Sequence, residues 1–370
     1  MLFRSKAGSD LLVEIAKKVA LSVWEQKGVL IFPAVTMDEN DSPKLVEGQP
    51  VIPDGPNKIL AIVAEEPGEI AQKAQKVAVA HLKEEWDKAQ VGMTSVQKKG
   101  LDTSLANRQV ETFLEFYAAW LPLQNYKEDR KQVDRLLAGR KALREFSPSP
   151  CKPCRPKSPL DPSRDCVLNL HEANKIPEGC EQSPLWLKSS EVLDAISILK
   201  RVKGVKISKS VPSTPSTSEM AFRAILPEIK RKEAENEKVR KAMIELRRIA
   251  NLGGAGVDVS DLFFENRVEE LKTEQQSISE ADWNQVANYR RDVLKGIGRA
   301  ECPPYYAILV ADGDKMGALL NEMNSKEEHQ EFSCKLSKFA KDAGKIVQEA
   351  KGHLVYSGGD DVVKGAAFFS

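Results

Sequence analysis

Residues 305–317 read YYAILVADGDKMG, and residues 353–363 read HLVYSGGDDVV. The first stretch is a continuous apolar run that ends in Asp312 and Asp314, a pattern that predicts a buried strand with carboxylates at its carboxyl end. The second is a shorter apolar run that breaks into Gly-Gly and then two acids, which predicts the tip of a β-hairpin. If both strands join one sheet, their acids come together.

Carboxylates crowded into one cleft repel each other unless a hard cation such as Mg²⁺ or Mn²⁺ lies between them. Two such ions about 4 Å apart are the usual arrangement for displacement at a nucleotide phosphate. The two glycines would let the backbone turn tightly and admit a triphosphate. An isolated Gly-Gly-Asp-Asp is more often an Asp-rich turn, but the partner strand ending in Asp-Gly-Asp favours a metal site here.

The pair of motifs beginning at Asp312 and Tyr356 resembles the polymerase/cyclase palm of the large subunit of type III CRISPR effector complexes, most closely the type III-B (Cmr) form. Individually weaker likenesses to the same family lie at residues 56–63, 140–146 and 156–161. The resemblance implies an α+β fold with two ferredoxin-like palm domains of the nucleotide cyclase type, the second incomplete, with a zinc-knuckle insertion and a helical linker region.

This resemblance divides the chain into four expected regions. They are a first palm-like domain at 1–146, a zinc-knuckle segment at 147–185, a helical linker domain at 186–300, and the start of the second, catalytic palm domain with its hairpin at 301–370. The chain begins in a helical pattern where a palm would have its first strand, and it ends soon after Asp361. We therefore expect a fragment or one half of a split subunit, which would turn over little nucleotide alone.

The resemblance further implies that the palm converts ATP into a cyclic oligoadenylate when the complex holds target RNA. Its expected partners are the other effector subunits, the crRNA and the target RNA. The catalytic and Mg²⁺- or Mn²⁺-binding carboxylates would be Asp312, Asp360 and Asp361, and the nucleotide-binding residues Ser357, Gly358 and Gly359. Asp314 has less support, because the flanking glycines predict a turn that leaves its direction unfixed.

Two other functions remain open at this point. One is a catalytically inactive scaffold in the same complex. The other is a stand-alone nucleotide cyclase of the GGDEF type, which shares the palm and the Gly-Gly hairpin. Against this second alternative, position 361 is Asp where such enzymes usually carry Glu, and the cysteine-rich region has no place in them.

That cysteine-rich region opens with Cys151-Lys-Pro-Cys154 in a Pro-rich stretch. A CxxC pair presents two thiolates to one ion, and tetrahedral zinc then needs two further ligands. Cys180 is the expected third ligand, with Cys166 ahead of His171 for the fourth. Such a zinc ion would stabilise a loop by linking its ligands and would take no part in catalysis. The alternative is a set of surface cysteines without metal.

Charge and hydropathy narrow the class of protein. The 370 residues include 55 Lys and Arg against 54 Asp and Glu, so any RNA contact would have to be local. No segment approaches the roughly 18 apolar residues of a membrane span, and the first residues lack a signal-peptide pattern, so we expect a cytoplasmic protein without membrane contact. None of the four histidines precedes an aspartate, so the HD nuclease domain frequent in this family is not expected in this chain.

Apolar spacing predicts a coarse series of elements. Along the sequence, a helix over 9–26 is followed by strands at 28–33 and 59–63 and by a helix over 67–88. This order is typical of a palm after its first strand. Residues 112–123 fit a strand and almost equally a helix. A charged helix over 126–146 is expected to turn inward Val133, Leu136, Leu137 and Leu143. Further helices are predicted over 189–202, 219–229, 230–249 and 279–297.

Overall fold

The computed structural model describes residues 2–38, 43–53, 57–64, 66–93, 95–143, 155–168, 192–206, 215–253, 257–275, 277–350, 352–358 and 361–366. Within these ranges the chain forms two hydrophobic cores and, towards its carboxyl end, a three-stranded antiparallel sheet. No helix in these ranges combines the length and apolar character that crossing a membrane requires.

The first core belongs to what we call the amino-terminal unit. Its elements are α1 (Leu2–Glu25), β1 (Val29–Phe32), β2 (Leu45–Val46), β3 (Gln49–Pro50), β4 (Leu60–Ile62), α2 (Pro67–Val91), α3 (Ser95–Gly100), α4 (Thr103–Glu111), α5 (Tyr126–Ala142), β5 (Lys157–Ser158), β6 (Asp161–Asp165) and α6 (Ala195–Lys206). β1 pairs with β4 antiparallel, and β2 with β3 and β5 with β6 form two further short ladders. The predicted order of helix, strand, strand and helix is confirmed, whereas a complete first palm stays a prediction.

Helix α2 shows why this unit is stable. Pro67 begins the helix, where a missing N–H costs nothing. Its buried residues recur every three or four positions and form one apolar face, namely Ala74, Ala78, Leu82, Trp86 and Ala89. α1 and α6 pack against this helix. The small alanines allow close helix approach, and Leu82 and Trp86 fill the space between.

Three sequence predictions in this unit differ from the structure. Residues 114–123 form neither a strand nor a helix. Helix α5 forms, but Leu136 and Leu143 are 43% and 78% exposed, so the predicted inward face is wrong for both. The reason is that α5 lies at the edge of the unit and buries Arg130 instead. Finally, α6 packs on α1, α2 and α4, so the expected boundary at 186 does not coincide with the boundary between the two cores.

The second core is helical. It is built from α7 (Thr217–Phe222), α8 (Leu226–Glu235), α9 (Glu237–Leu252), a 3₁₀ helix (Val259–Phe263), α10 (Glu265–Glu274) and α11 (Glu280–Gly296). The single helix predicted over 230–249 is interrupted at Asn236, whose side chain accepts hydrogen bonds from the N–H groups of Lys238 and Val239 and so starts a new helix. Ser279 caps α11 in the same way, as its Ser-x-x-Asp pattern predicts.

The carboxyl-terminal part, which we call the palm segment, follows the predicted order of strand, helices and hairpin. It comprises β7 (Ala307–Ala311), α12 (Met316–Glu322), α13 (Lys326–Glu349), β8 (His353–Gly358) and β9 (Asp361–Ala366). Helix α13 packs over β8 and also over β1 of the amino-terminal unit. Gln330 Nε2 donates to the Leu30 carbonyl at 2.7 Å, and Ser333 Oγ accepts from the Ala34 N–H at 2.8 Å. The palm segment is therefore docked on the amino-terminal unit through α13.

Candidate functional site

The sheet of the palm segment places the two acidic motifs at one end. β9 is the central strand, with β7 on one side and β8 on the other, both antiparallel to it. Val362 pairs with Ala311 on one side and with Ser357 on the other. Extending the β7–β9 register by one position puts Asp312 opposite Asp361, which itself pairs with Gly358. Because neighbouring strands lie about 4.8 Å apart, these backbone positions are adjacent.

The predicted hairpin is confirmed, since β8 and β9 pair with each other from Gly358 and Asp361 onwards. The two residues that join these strands, Gly359 and Asp360, lie outside the described part of the chain. The roles predicted for Ser357, Gly358, Gly359, Asp360 and Asp361 therefore stay predictions.

After β7 the backbone turns at once, as the glycines predicted. The strand ends at Ala311, residues 314 and 315 form a turn, and Lys315 adopts a left-handed conformation with φ 58° before α12 begins. Non-glycine residues rarely adopt this conformation. Here it redirects the backbone, so that the helix begins directly after the acidic motif. We call residues 312–315 the acidic loop. Asp314 therefore does not continue the strand face of Asp312.

The carboxylates of the acidic loop are open to solvent. Asp312 and Asp314 are both exposed, and neither forms a hydrogen bond or ion pair with the described part of the chain. Oxygen ligands of this kind are what Mg²⁺ and Mn²⁺ prefer. The exposed carboxylates of Asp312 and Asp314 are therefore chemically suited to a hard divalent cation.

The predicted burial of β7 is wrong. Ile308, Leu309 and Val310 are 54%, 47% and 67% exposed. The physical reason is that β7 is an edge strand of a three-stranded sheet, and α13 packs over β8 and, to a lesser extent, β9. An apolar run specifies a strand but not the element that covers it.

Helix α5 provides a support for the site that the sequence analysis missed. Arg130 is 5% exposed, and its Nη2 donates to the Leu320 carbonyl of α12 at 2.9 Å and to Asn321 Oδ1 at 3.2 Å. Its Nη1 lies 3.4 Å from Asp134, which also pairs with Lys58 at 2.8 Å. No sequence pattern marks a contact between residues 190 positions apart. The i,i+4 spacing of Arg130 and Asp134 predicts only the local pair.

A second contact from α5 reaches α13. The Tyr126 hydroxyl and His329 Nδ1 are 2.8 Å apart, and Phe32 packs against the same imidazole with ring centroids 6.0 Å apart. Burial, helped by the nearby positive charge of Arg130, lowers the pKa of His329 to about 4. Burial also raises the pKa of Tyr126 to about 12. Both side chains are therefore neutral near pH 7.

The predicted zinc ligands fall largely outside the described residues, which include Cys166 but not Cys151, Cys154, His171 or Cys180. Cys166 is 1% exposed, and its thiol donates to the Leu168 carbonyl at 3.3 Å. Burial raises the pKa of this thiol, which favours the protonated form over the thiolate that zinc requires. This setting does not favour Cys166 as the fourth ligand, and the zinc site as a whole stays a prediction.

One cluster in the amino-terminal unit has the composition of a metal site. Glu14, His81 and Glu85 present ligand atoms within 4.8 Å of one another. The ammonium group of Lys203 already lies among them, 2.5 Å from Glu14 and 2.9 Å from Glu85. Lys203 supplies the positive charge that these carboxylates need, so the cluster is an ion-pair network that joins α1, α2 and α6.

Comparison with known families gives one match. Residues 305–368 match the family described as Cas10/Cmr2, second palm domain. The matched segment holds β7, the acidic loop, α12, α13 and the hairpin, and it covers well under half of the chain. A search among curated proteins found no significant relative. The match supports a Cas10-type large subunit, and hence membership in a multisubunit type III CRISPR effector complex.

Proposed function

We propose that the palm segment, within an effector complex, converts ATP into a cyclic oligoadenylate when target RNA is bound, using two divalent ions. In this proposal the complex is of the type III-B (Cmr) form, with crRNA and the other effector subunits as partners. The match of residues 305–368 to a palm domain supports the family assignment. The observation that carries the chemical assignment is the register that brings Asp312 opposite Asp361 at one end of the sheet.

In this proposal Asp312, Asp360 and Asp361 would hold the metal ions. The bound ions would lower the pKa of the attacking ribose hydroxyl and neutralise charge on the α-phosphate and the pyrophosphate. The residues of the chain would bind the cations and orient the nucleotide. The carboxylates would hold the cations, and the glycines of the hairpin would let the phosphates approach the backbone. The exposed acidic loop leaves the nucleotide free access from solvent.

The test uses labelled ATP and, separately, labelled GTP. The full chain is assembled with its effector subunits and crRNA and incubated with Mg²⁺ or Mn²⁺, with and without target RNA. We expect an RNA-dependent cyclic adenylate product from ATP and little product from GTP. The matched variant Asp312→Asn should abolish the product while leaving assembly intact.

The same experiment separates the alternatives. Two results together would identify an inactive scaffold. The complex with Asp312→Asn would assemble and protect against target RNA as well as the parent complex, and neither nucleotide would give a product. A cyclic dinucleotide formed from GTP without RNA would identify a stand-alone cyclase. Either result would contradict the proposal.

A further inference from the structure

We propose that Arg130 is a positioning residue for the acidic loop: from the amino-terminal unit it fixes the carboxyl end of α12 and thereby holds Asp312 and Asp314 in place. This inference rests on the proposed function of the palm segment. It concerns a residue far from the acidic motifs in sequence and outside the segment that matches the palm family.

The first step is that the acidic loop has little support of its own. On one side it continues from β7, an edge strand whose side chains are exposed. On the other side it enters α12 through the left-handed Lys315. Its two carboxylates bind no other described residue, so the position of the loop follows from the positions of β7 and α12.

The second step concerns α12. This helix has seven residues, none of which is buried. A helix this short is marginal on its own and needs tertiary contacts to be ordered. Among the described residues, the side-chain hydrogen bonds that join α12 to a distant part of the chain are those from Arg130 to Leu320 and Asn321.

The third step is that Arg130 is itself strongly constrained. Its side chain is 4% exposed, and a guanidinium buried to this degree costs several kcal/mol unless its N–H groups are bonded. The carbonyl of Leu320 and the amide oxygen of Asn321 accept from it, so displacing α12 would leave a buried charge with fewer partners. The cost of losing these bonds favours one position of α12, and through it one position of the acidic loop.

The neighbouring contacts show that Arg130 acts at α12 in particular. Lys127 donates to Asn324 Oδ1 at 2.9 Å, and Tyr126 contacts His329, so these residues of α5 meet the start of α13 or the residues before it. α13 is also held by Leu30 and Ala34 of the amino-terminal unit. Loss of Arg130 should therefore loosen α12 while leaving α13 docked.

The experiment compares Arg130→Met and Arg130→Lys with Arg135→Met as matched control. Arg135 lies on the same helix, is exposed, and forms no hydrogen bond or ion pair in the described part of the chain. Methionine keeps most of the volume of arginine and leaves no buried charge at position 130. Replacing buried charged groups by apolar residues of similar volume often leaves the free energy of unfolding little changed. Thermal unfolding confirms that each variant is folded.

Two readouts are measured. The first is amide hydrogen exchange of residues 312–322 in the full chain, which needs no catalytic activity. The second is nucleotide turnover by the chain assembled in its effector complex, with kcat and KM separated. We expect Arg130→Met to speed exchange in this segment by about 10-fold or more and to lower kcat by about 10-fold or more, since small misplacements of reacting groups cost this much. KM should change less than kcat, Arg130→Lys should recover part of both, and Arg135→Met should match the parent chain.

The outcomes separate this inference from the proposed function. Unchanged exchange in Arg130→Met would overturn the inference whatever the turnover. Faster exchange with unchanged kcat would show that α12 does not position the carboxylates, which also overturns it. If the parent complex makes no product, the proposed function fails, and faster exchange confined to residues 312–322 would then support the structural link while removing its catalytic role.

Discussion

Strands β1 and β7 look alike in sequence and differ in their surroundings. β1 reads VLIF and β7 reads AILVA, and both predict buried strands. Leu30 and Ile31 of β1 are 2% and 0% exposed, because α1 and α13 pack against that strand. Ile308 and Val310 of β7 are 54% and 67% exposed. The long helix α13 of the palm segment thus packs against β1 of the amino-terminal unit, while the acid-bearing strand β7 lies at an exposed edge of its sheet.

This difference indicates that the amino-terminal unit and the acidic loop contribute differently to stability and to function. The amino-terminal unit is stabilised by buried apolar area and by a partly buried ion-pair network. The carboxylates of the acidic loop are exposed and form no hydrogen bond or ion pair with another described residue, so they contribute little to stability. Substitutions in the first region should change the free energy of unfolding, and substitutions in the second should change turnover.

The largest effect should follow from Asp312→Asn, the variant that removes one charge of the proposed metal site from the acidic loop. We expect ATP turnover by the assembled complex to fall by about 100-fold or more, because the proposed metal ions would stabilise charge in the transition state. The free energy of unfolding should stay within about 0.5 kcal/mol of the parent value, since the side chain is exposed and forms no hydrogen bond or ion pair with another described residue. A large loss of stability with retained turnover would reverse the comparison.

The second prediction compares the two strands directly. Leu30→Ala should lower the free energy of unfolding by about 2–4 kcal/mol, because it opens a cavity in the core of the amino-terminal unit. Val310→Ala removes apolar atoms from an exposed position and should cost less than about 1 kcal/mol. Urea unfolding of both variants gives the two values. Similar losses would mean that β7 is buried in solution and that the contrast is wrong.

The third prediction concerns pH and the contact between α5 and α13. The pKa of His329 is about 4 in the folded chain, against an ordinary value of 6.5, so the unfolded chain binds more protons between these values. Stability is therefore full above pH 6.5 and falls as the pH drops towards 4, by about 2–3 kcal/mol at most. His329→Gln should remove most of this slope. An equal slope in the variant would assign the pH dependence to another group.

The smallest effect is expected at the Lys203 network. Burial alone raises the pKa values of Glu14 and Glu85, but contacts with their partners, including Lys203, outweigh it, so both are lowered below 4.5. The network therefore stabilises above about pH 4.5 and is lost as the pH falls below it. Lys203→Met should cost about 1–2 kcal/mol near pH 7 and reduce the loss in acid. The control Lys88→Met, whose side chain is 52% exposed, should cost less than about 0.5 kcal/mol.

Much of the local structure could be predicted because its causes are local. The Ser279 cap, the turn after Asp312 and the hairpin between Gly358 and Asp361 follow from residues within a few positions of one another. The order of strand, helices and hairpin in the palm segment followed from apolar periodicity and from the resemblance of its acidic motifs.

The remaining features depend on partners distant in sequence. The exposure of β7 is decided by where α13 packs, and the charged helix α5 buries Arg130 because it meets α12. Leu136 and Leu143 have helical spacing, yet no described element covers them enough to bury them. A single sequence gives no information on such contacts, and this is why the support of the acidic loop escaped prediction.

The most direct test of the central claim is a crystal structure of the chain with Mn²⁺ and a non-hydrolysable ATP analogue, with Mn²⁺ located by anomalous scattering. The account predicts a Mn²⁺ ion at about 2.2 Å from a carboxylate oxygen of Asp312, shared with an acid at the start of β9 and with the triphosphate. A Mn²⁺ and nucleotide bound elsewhere, with Asp312 left unligated, would contradict it.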